Sequence, residues 1–139
     1  MNNSAVTGSC LCGNVSYQIT NHLGIFQYCH CSRCRKFTGS ANAANLFVRK
    51  ADFQWLTGED QVGVYYPPLT KYFATAFCKT CGSSLPWQSK GRDTMVIPAG
   101  TLDDDPGIKP VNNVFYASKA PWHVVASDLP TFDELPPRT

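Results

Sequence analysis

The chain has 139 residues, of which 43% are hydrophobic and 16% charged, and its formal net charge is +2. This length predicts one domain, spanning residues 1–139, with a sizeable buried core. The small net charge argues against nucleic acid as a partner. The chain shows neither a signal peptide nor an apolar run of the roughly 18 residues that cross a membrane, so we expect a cytoplasmic protein that does not contact membranes.

Short strands are the main elements that the hydrophobic pattern predicts. In chain order they fall at residues 14–20, 41–50, 53–56, 62–66, 94–99 and 111–117. A further apolar run at 25–28 leads directly into a group of cysteines. The segment 32–38 predicts about one helical turn, which Gly39 would close.

The distribution of proline separates the two halves of the chain. All ten prolines lie at or after position 67, which leaves little room for long helices in the second half. Residues 85–87 are predicted to be extended, and we expect Trp122 to anchor the segment after the last strand. The sequence therefore predicts a mainly β domain built from short strands.

The seven cysteines form two pairs and one trio, namely Cys10 with Cys12, Cys78 with Cys81, and Cys29, Cys31 and Cys34. In a reducing cytosol such clustering favours metal binding over disulfides, and the odd count leaves one thiol over in any full pairing. Four thiolates complete a closed tetrahedral zinc site, whereas three leave a position open for water or substrate. The count therefore predicts one structural zinc and one open zinc.

The two pairs are the natural ligands of the structural ion, since they are closely spaced and have adjacent glycines: Cys10, Cys12, Cys78 and Cys81. The alternative is that one of them is a buried free thiol. The trio of Cys29, Cys31 and Cys34 would hold the second ion. A soft site of this kind suits another thiolate as its fourth ligand, which would place a substrate sulfur beside a Lewis acid.

Several polar residues near the trio have two interpretations. In an extended segment His30 points away from its neighbours, which predicts a packing or supporting role, although it could be a fourth ligand. Arg33, Arg35 and Lys36 could attract an anionic thiol or could form a solvated basic loop. The acidic residues 103–105 lie in a Gly/Pro-rich loop that predicts a solvated turn. Three more cations are available for a carboxylate-bearing ligand: Arg49, Lys71 and Lys119.

Three cysteine motifs resemble those of the glutathione-dependent formaldehyde-activating enzyme family, which also includes centromere protein V. They are Gly-Ser-Cys-Leu-Cys-Gly at 8–13, Cys-His-Cys-Ser-Arg-Cys at 29–34 and Phe-Cys-Lys-Thr-Cys-Gly at 77–82. Weaker landmarks follow at 99–103 and 120–122, so that the resemblance covers about residues 8–132. Two positions depart from the family pattern: Thr75-Ala76 replaces a basic residue, and Asn113 replaces a histidine.

The resemblance implies an all-β fold, a β-tent of small coiled antiparallel sheets organised around zinc. It also implies two zinc ions, a structural one on the two cysteine pairs and a labile, catalytic one on the trio. The activity it implies is that of a carbon–sulfur lyase, which combines the thiol of glutathione with formaldehyde to give S-(hydroxymethyl)glutathione. Two alternatives remain from the residues: a non-catalytic zinc module that binds a macromolecule, and a redox sensor that uses the trio. The pattern leaves the oligomeric state undetermined.

Overall fold

The computed structural model describes residues 5–138, which form short strands and a single α-helix, α1 (Ser32–Thr38), together with five short 3-10 turns. The strands are β1 (Val6–Ser9), β2 (Ser16–Ile19), β3 (Leu23–Cys29), β4 (Ala43–Arg49), β5 (Phe53–Thr57), β6 (Val62–Tyr65), β7 (Thr75–Cys78), β8 (Ser84–Leu85), β9 (Trp87–Gln88), β10 (Thr94–Pro98) and β11 (Asn113–Val114). None of the helices within residues 5–138 is long and apolar enough to span a membrane.

The strands form three small sheets. Two are three-stranded, with the orders β1-β2-β5 and β6-β7-β8, and the third is five-stranded, with the order β11-β3-β4-β10-β9. Every pairing is antiparallel except that of β11 with β3. The mainly β fold of small antiparallel sheets is thus confirmed.

The core lies where these sheets pack against one another. Tyr17 and Ile19 of β2 meet Leu46 of β4 and Ile97 of β10, and all four are essentially inaccessible to solvent. Each such side chain contributes on the order of 1.5–3 kcal/mol through removal of apolar surface from water. The Tyr17 hydroxyl also lies 2.6 Å from the Thr101 hydroxyl, so that its polar end is satisfied in the core.

Most of the predicted elements are confirmed. Segments 14–20 and 41–50 contain β2 and β4, and segment 32–38 is α1, which forms nearly two turns rather than one. The acidic loop is exposed, as expected, but it also accepts hydrogen bonds from β1, for example from Ser9 Oγ to Asp103 at 2.7 Å.

Two expectations for the C-terminal part are wrong. The predicted strand at 111–117 shrinks to the two residues of β11, because Phe115 adopts a left-handed backbone (φ 52°) and a 3-10 turn follows it. Trp122 does not anchor its segment, since 67% of its surface is exposed. Hydrophobic composition alone did not distinguish this exposed segment from a core strand.

Candidate metal centre

The first cysteine cluster joins the end of β1 to the end of β7. The sulfurs of Cys10, Cys12, Cys78 and Cys81 all lie within 4.8 Å of one another. Two of the separations are 3.6 Å, between Cys10 and Cys12, and 3.8 Å, between Cys12 and Cys78. Four ligands about 2.3 Å from a central zinc would be about 3.8 Å apart, so these sulfurs could surround one metal ion.

Backbone donors explain why these segments gather sulfur atoms. The N–H of Val15 donates to Cys10 Sγ at 3.3 Å, and the N–H of Cys81 donates to Cys78 Sγ at 3.5 Å. Gly13 and Gly82 follow the cysteine pairs with φ angles of 82° and 77°, a conformation that glycine adopts without strain. These turns point N–H groups at the sulfurs and thereby favour the thiolate form.

Ser83 connects the two halves of this cluster. Its hydroxyl accepts a hydrogen bond from the N–H of Leu11 at 2.9 Å and lies 3.2 Å from Cys81 Sγ. Hydrogen bonds, first from the Ser83 hydroxyl and then from backbone N–H groups, lower the pKa of Cys81 to about 5. These hydrogen bonds therefore favour the thiolate form of Cys81 at neutral pH.

The second cluster lies at the junction of β3 and α1. Cys29 ends β3, Cys31 is the N-cap of α1, and Cys34 lies in the first turn of the helix; all three are buried, with their sulfurs within 4.8 Å of one another. The Cys34 N–H donates to Cys31 Sγ at 3.3 Å. At the other end of the helix Gly39, with φ 64°, donates its N–H to the Arg35 carbonyl at 2.8 Å. The helix thus brings the third sulfur to the other two.

The three thiols of the trio differ in how readily they ionise. The neighbouring thiols of Cys29 and Cys34, with a smaller contribution from the positive charge of Arg33, lower the pKa of Cys31 to about 2. The nearby Cys31 sulfur raises the pKa of Cys29, and the sulfurs of Cys29 and Cys31 raise that of Cys34. A metal ion bound by all three sulfurs would favour the thiolate form of each.

A cavity of about 350 Å³ opens beside the trio. All three cysteines line it, and its walls include the aromatic side chains of Phe47, Phe73 and Trp87 together with Val96 and Val114. Among the described residues that line the cavity, none is an aspartate, glutamate or histidine. The cavity is therefore apolar in its body and without negative charge apart from the thiolates.

Cations surround Tyr72, which also lines the cavity. The Arg92 guanidinium carbon lies 3.5 Å from the centroid of the Tyr72 ring, and Lys71 Nζ lies 5.1 Å from it. The neighbouring cations, first Arg92 and then Lys71, lower the pKa of Tyr72. Nearby, the guanidinium of Arg33 lies 5.4 Å from the centroid of the Phe73 ring. This side of the cavity is suited to a carboxylate.

Two residues with side-chain amides line the cavity. Gln27 on β3 and Asn45 on β4 are partners in the antiparallel register. Asn45 is only 8% exposed and Gln27 is half-buried, and both residues line the cavity. Sequence reasoning missed both, although a buried asparagine within the apolar run of β4 was a visible signal.

His30 does not join the trio. It is fully buried, its Nε2 lies 2.9 Å from Asn113 Oδ1, and its ring packs edge-on against Tyr116 and His123 with centroids 4.9 and 5.0 Å away. The expected packing role agrees with this placement. Asn113, which departs from the family pattern, is the partner that binds the buried imidazole.

The cations singled out from the sequence have different surroundings. Lys71 lines the cavity, whereas Arg49 Nε donates to the buried Asp52 carboxylate at 2.8 Å and Lys119 lies 4.7 Å from the Tyr116 ring centroid. Arg33 lines the cavity, while Arg35 and Lys36 do not. Arg92 was missed, because nothing in its local sequence indicates that its turn folds over Tyr72.

A mainly β fold with one four-cysteine cluster and one cavity-lining trio defines a candidate metalloprotein with an open centre. Residues 5–118 match the sequence profile of the family described as "Glutathione-dependent formaldehyde-activating enzyme", and the chain belongs to this family.

One curated protein and one solved structure are similar to this chain. A Halomonas elongata protein named "Putative glutathione-dependent formaldehyde-activating enzyme" is 33% identical over 82 residues, which is 56% of this chain and 52% of that protein. The match thus spans about half the length of that relative. The crystal structure of a Rhodobacter sphaeroides protein shares the fold with a TM-score of 0.56 and 24% identity, over 78% of this chain and 99% of that chain.

Proposed function

We propose that each cysteine cluster binds one zinc ion and that the two sites differ in purpose. Cys10, Cys12, Cys78 and Cys81 would hold a structural ion, because four thiolates leave no position for a substrate. Cys29, Cys31 and Cys34 would hold the catalytic ion, because three thiolates leave one position free. Soft sulfur donors at these separations suit zinc better than magnesium or calcium, which prefer oxygen ligands.

The chain then acts as a carbon–sulfur lyase that interconverts formaldehyde plus a thiol with the S-hydroxymethyl adduct. The observation that carries this proposal is the position of the trio on the wall of a cavity large enough for a small ligand. A zinc ion held by the trio would supply a Lewis acid with an open position for a thiol sulfur. The aromatic and aliphatic walls provide an apolar surface against which a small aldehyde could pack.

Glutathione is the thiol that the charges of the cavity favour. Arg33, Lys71 and Arg92 line the cavity without any acidic side chain among its described lining residues, so that an anionic ligand is attracted and a cationic one repelled. Glutathione carries two carboxylates at a distance from its sulfur, which matches a cavity lined by both cations and thiols. Family membership and the name of the Halomonas elongata relative support the same substrate.

Exchange NMR at equilibrium tests this function. Wild-type protein should accelerate interconversion of glutathione and its formaldehyde adduct above the spontaneous rate. Cys31→Ser should abolish the acceleration while retaining the far-UV spectrum, because the altered side chain belongs to the trio and not to the four-cysteine cluster. No acceleration by fully zinc-loaded wild-type protein would disprove the activity.

A further inference from the structure

We propose that the side-chain amides of Asn45 and Gln27 are catalytic hydrogen-bond donors to the carbonyl oxygen of the aldehyde. The inference rests on the function proposed above and names the groups that stabilise the oxygen when the carbon–sulfur bond forms. The two amides would be polar partners for the reacting oxygen in a cavity that has no carboxylate or imidazole among its described lining residues.

The sheet places both amides beside the trio. Gln27 precedes Cys29 by two residues on β3, so that the two side chains are on the same face of the strand, about 7 Å apart along it. Asn45 lies directly across from Gln27 on β4, as Ala43 does from Cys29. Gln27, Asn45 and Cys29 all line the cavity, with small Ala43 leaving space near the sulfur.

Both amides are open to the cavity. Asn45 is more than nine-tenths buried as a residue and Gln27 is half-buried, but the fully buried polar atoms that lack a partner within residues 5–138 belong to His30 and Arg35 and not to these two amides. Their polar atoms are therefore accessible from the cavity that both residues line, where a ligand oxygen could meet them. A polar side chain within the apolar run of β4 is an exception to core composition of the kind expected at a functional site.

Two hydroxyl groups that line the cavity are already engaged. Ser89 Oγ donates toward the Tyr72 carbonyl at 3.5 Å, and Thr70 Oγ1 donates to the Pro67 carbonyl at 3.0 Å. The cations on the Tyr72 side are suited to the carboxylates of the thiol. Asn45 and Gln27 are the side-chain amides that the cavity offers to the aldehyde oxygen.

The bond changes define what these donors do. When the thiolate sulfur attacks the carbonyl carbon, a carbon–sulfur bond forms and the π pair of the carbonyl moves onto oxygen. Neutral amide N–H groups stabilise that developing charge without giving up a proton. The oxygen takes its proton from water, which balances the proton that the thiol released to water on ionising. Preorganised donors of this kind act mainly on the transition state.

Substitutions that preserve the size of the side chain distinguish this catalytic role from a structural one. Asn45→Leu and Gln27→Met should lower the exchange rate at saturating glutathione by about 10²-fold each, while zinc content and the affinity for glutathione remain unchanged. Gln18→Met is the matched control, because Gln18 is a half-buried strand residue on another sheet that bonds to Gln54 at 3.0 Å. Rates in both variants equal to that of the control would overturn the proposal.

Binding of two stable glutathione derivatives provides a readout that needs no turnover. S-acetylglutathione carries a carbonyl oxygen on the carbon bonded to sulfur, and S-isopropylglutathione has a methyl group in its place. Wild-type protein should bind the acetyl derivative about tenfold more tightly, and Asn45→Leu and Gln27→Met should lose that preference.

The outcomes distinguish this proposal from the function on which it rests. Suppose that the wild-type protein binds glutathione and accelerates exchange, but that its preference for the acetyl derivative is absent or is unchanged in Asn45→Leu and Gln27→Met. That result would overturn the role of Asn45 and Gln27 and leave the proposed function intact. Failure of the wild-type protein both to bind glutathione and to accelerate exchange would overturn the proposed function and the inference together.

Discussion

The sulfur of Cys31 accepts a hydrogen bond from the backbone N–H of Cys34 at 3.3 Å, which makes one cysteine of the trio the cap of the helix that carries another. Cys78 and Cys81 repeat the same contact at 3.5 Å in the four-cysteine cluster. In both clusters, a contact between residues three apart in the sequence holds two of the sulfurs close together. The donated N–H groups also favour the thiolate form that a metal requires.

Loss of a ligand should affect stability very differently in the two clusters. Cys78→Ser should abolish cooperative thermal unfolding, because its cluster connects β1 to β7 and a structural zinc contributes on the order of ten kcal/mol. Cys34→Ser, the matched control in the trio, should retain cooperative unfolding by circular dichroism. Equal loss of structure in both variants would contradict the division into structural and catalytic sites.

The cations around Tyr72 should act on substrate binding rather than on chemistry. Arg92→Gln and Lys71→Gln should each raise the KM for glutathione about two- to fivefold with little change in kcat, since each exposed ion pair contributes under about 1 kcal/mol. Lys109→Gln is the control, because Lys109 is exposed and does not line the cavity. The effect should diminish in high salt. A change confined to kcat would argue against carboxylate binding at these cations.

Tyr72 reports on the same cations through its pKa. Because the neighbouring cations Arg92 and Lys71 favour the phenolate, the pKa of Tyr72 lies below the ordinary value of 10.0, and the side chain ionises at a lower pH than a free tyrosine. Arg92→Gln should raise this pKa, and bound glutathione should raise it too by partly neutralising the cations. The pKa of Tyr72 is measured from the difference between the ultraviolet pH titrations of the wild-type protein and of the Tyr72→Phe variant. An unchanged pKa in Arg92→Gln would refute the contact.

The sequence was sufficient to predict the grouping of the cysteines, since ligand spacing and adjacent glycines reflect short-range geometry. It also predicted α1, because Gly39 adopts the left-handed conformation that ends a helix. The cavity was harder to predict: Arg92 and Tyr72 meet only after a distant turn folds back, and Gln27 faces Asn45 only once the β3–β4 register is known. Those contacts depend on tertiary structure and leave no local pattern.

Gly58 should be far more sensitive to substitution than Gly107. Both have left-handed backbones, with φ 74° and 76°, but a Cβ at Gly58 would collide with the backbone carbonyl of Asn14, whereas a Cβ at Gly107 meets open space. Gly107→Ala should therefore cost about 1 kcal/mol of unfolding free energy. Gly58→Ala should cost about 1–3 kcal/mol more, because the loop after the first cysteine pair must move. Equal losses in urea denaturation would contradict the close approach.

Zinc content per chain tests the central claim most directly. Elemental analysis of purified protein should give two zinc ions per chain, one for each cluster, and one in Cys31→Ser with the fold retained. Titration with glutathione should perturb only the ion that Cys31→Ser removes. One zinc per chain in both proteins, unaffected by glutathione, would show that the trio is not a metal site and would contradict the proposed catalytic centre.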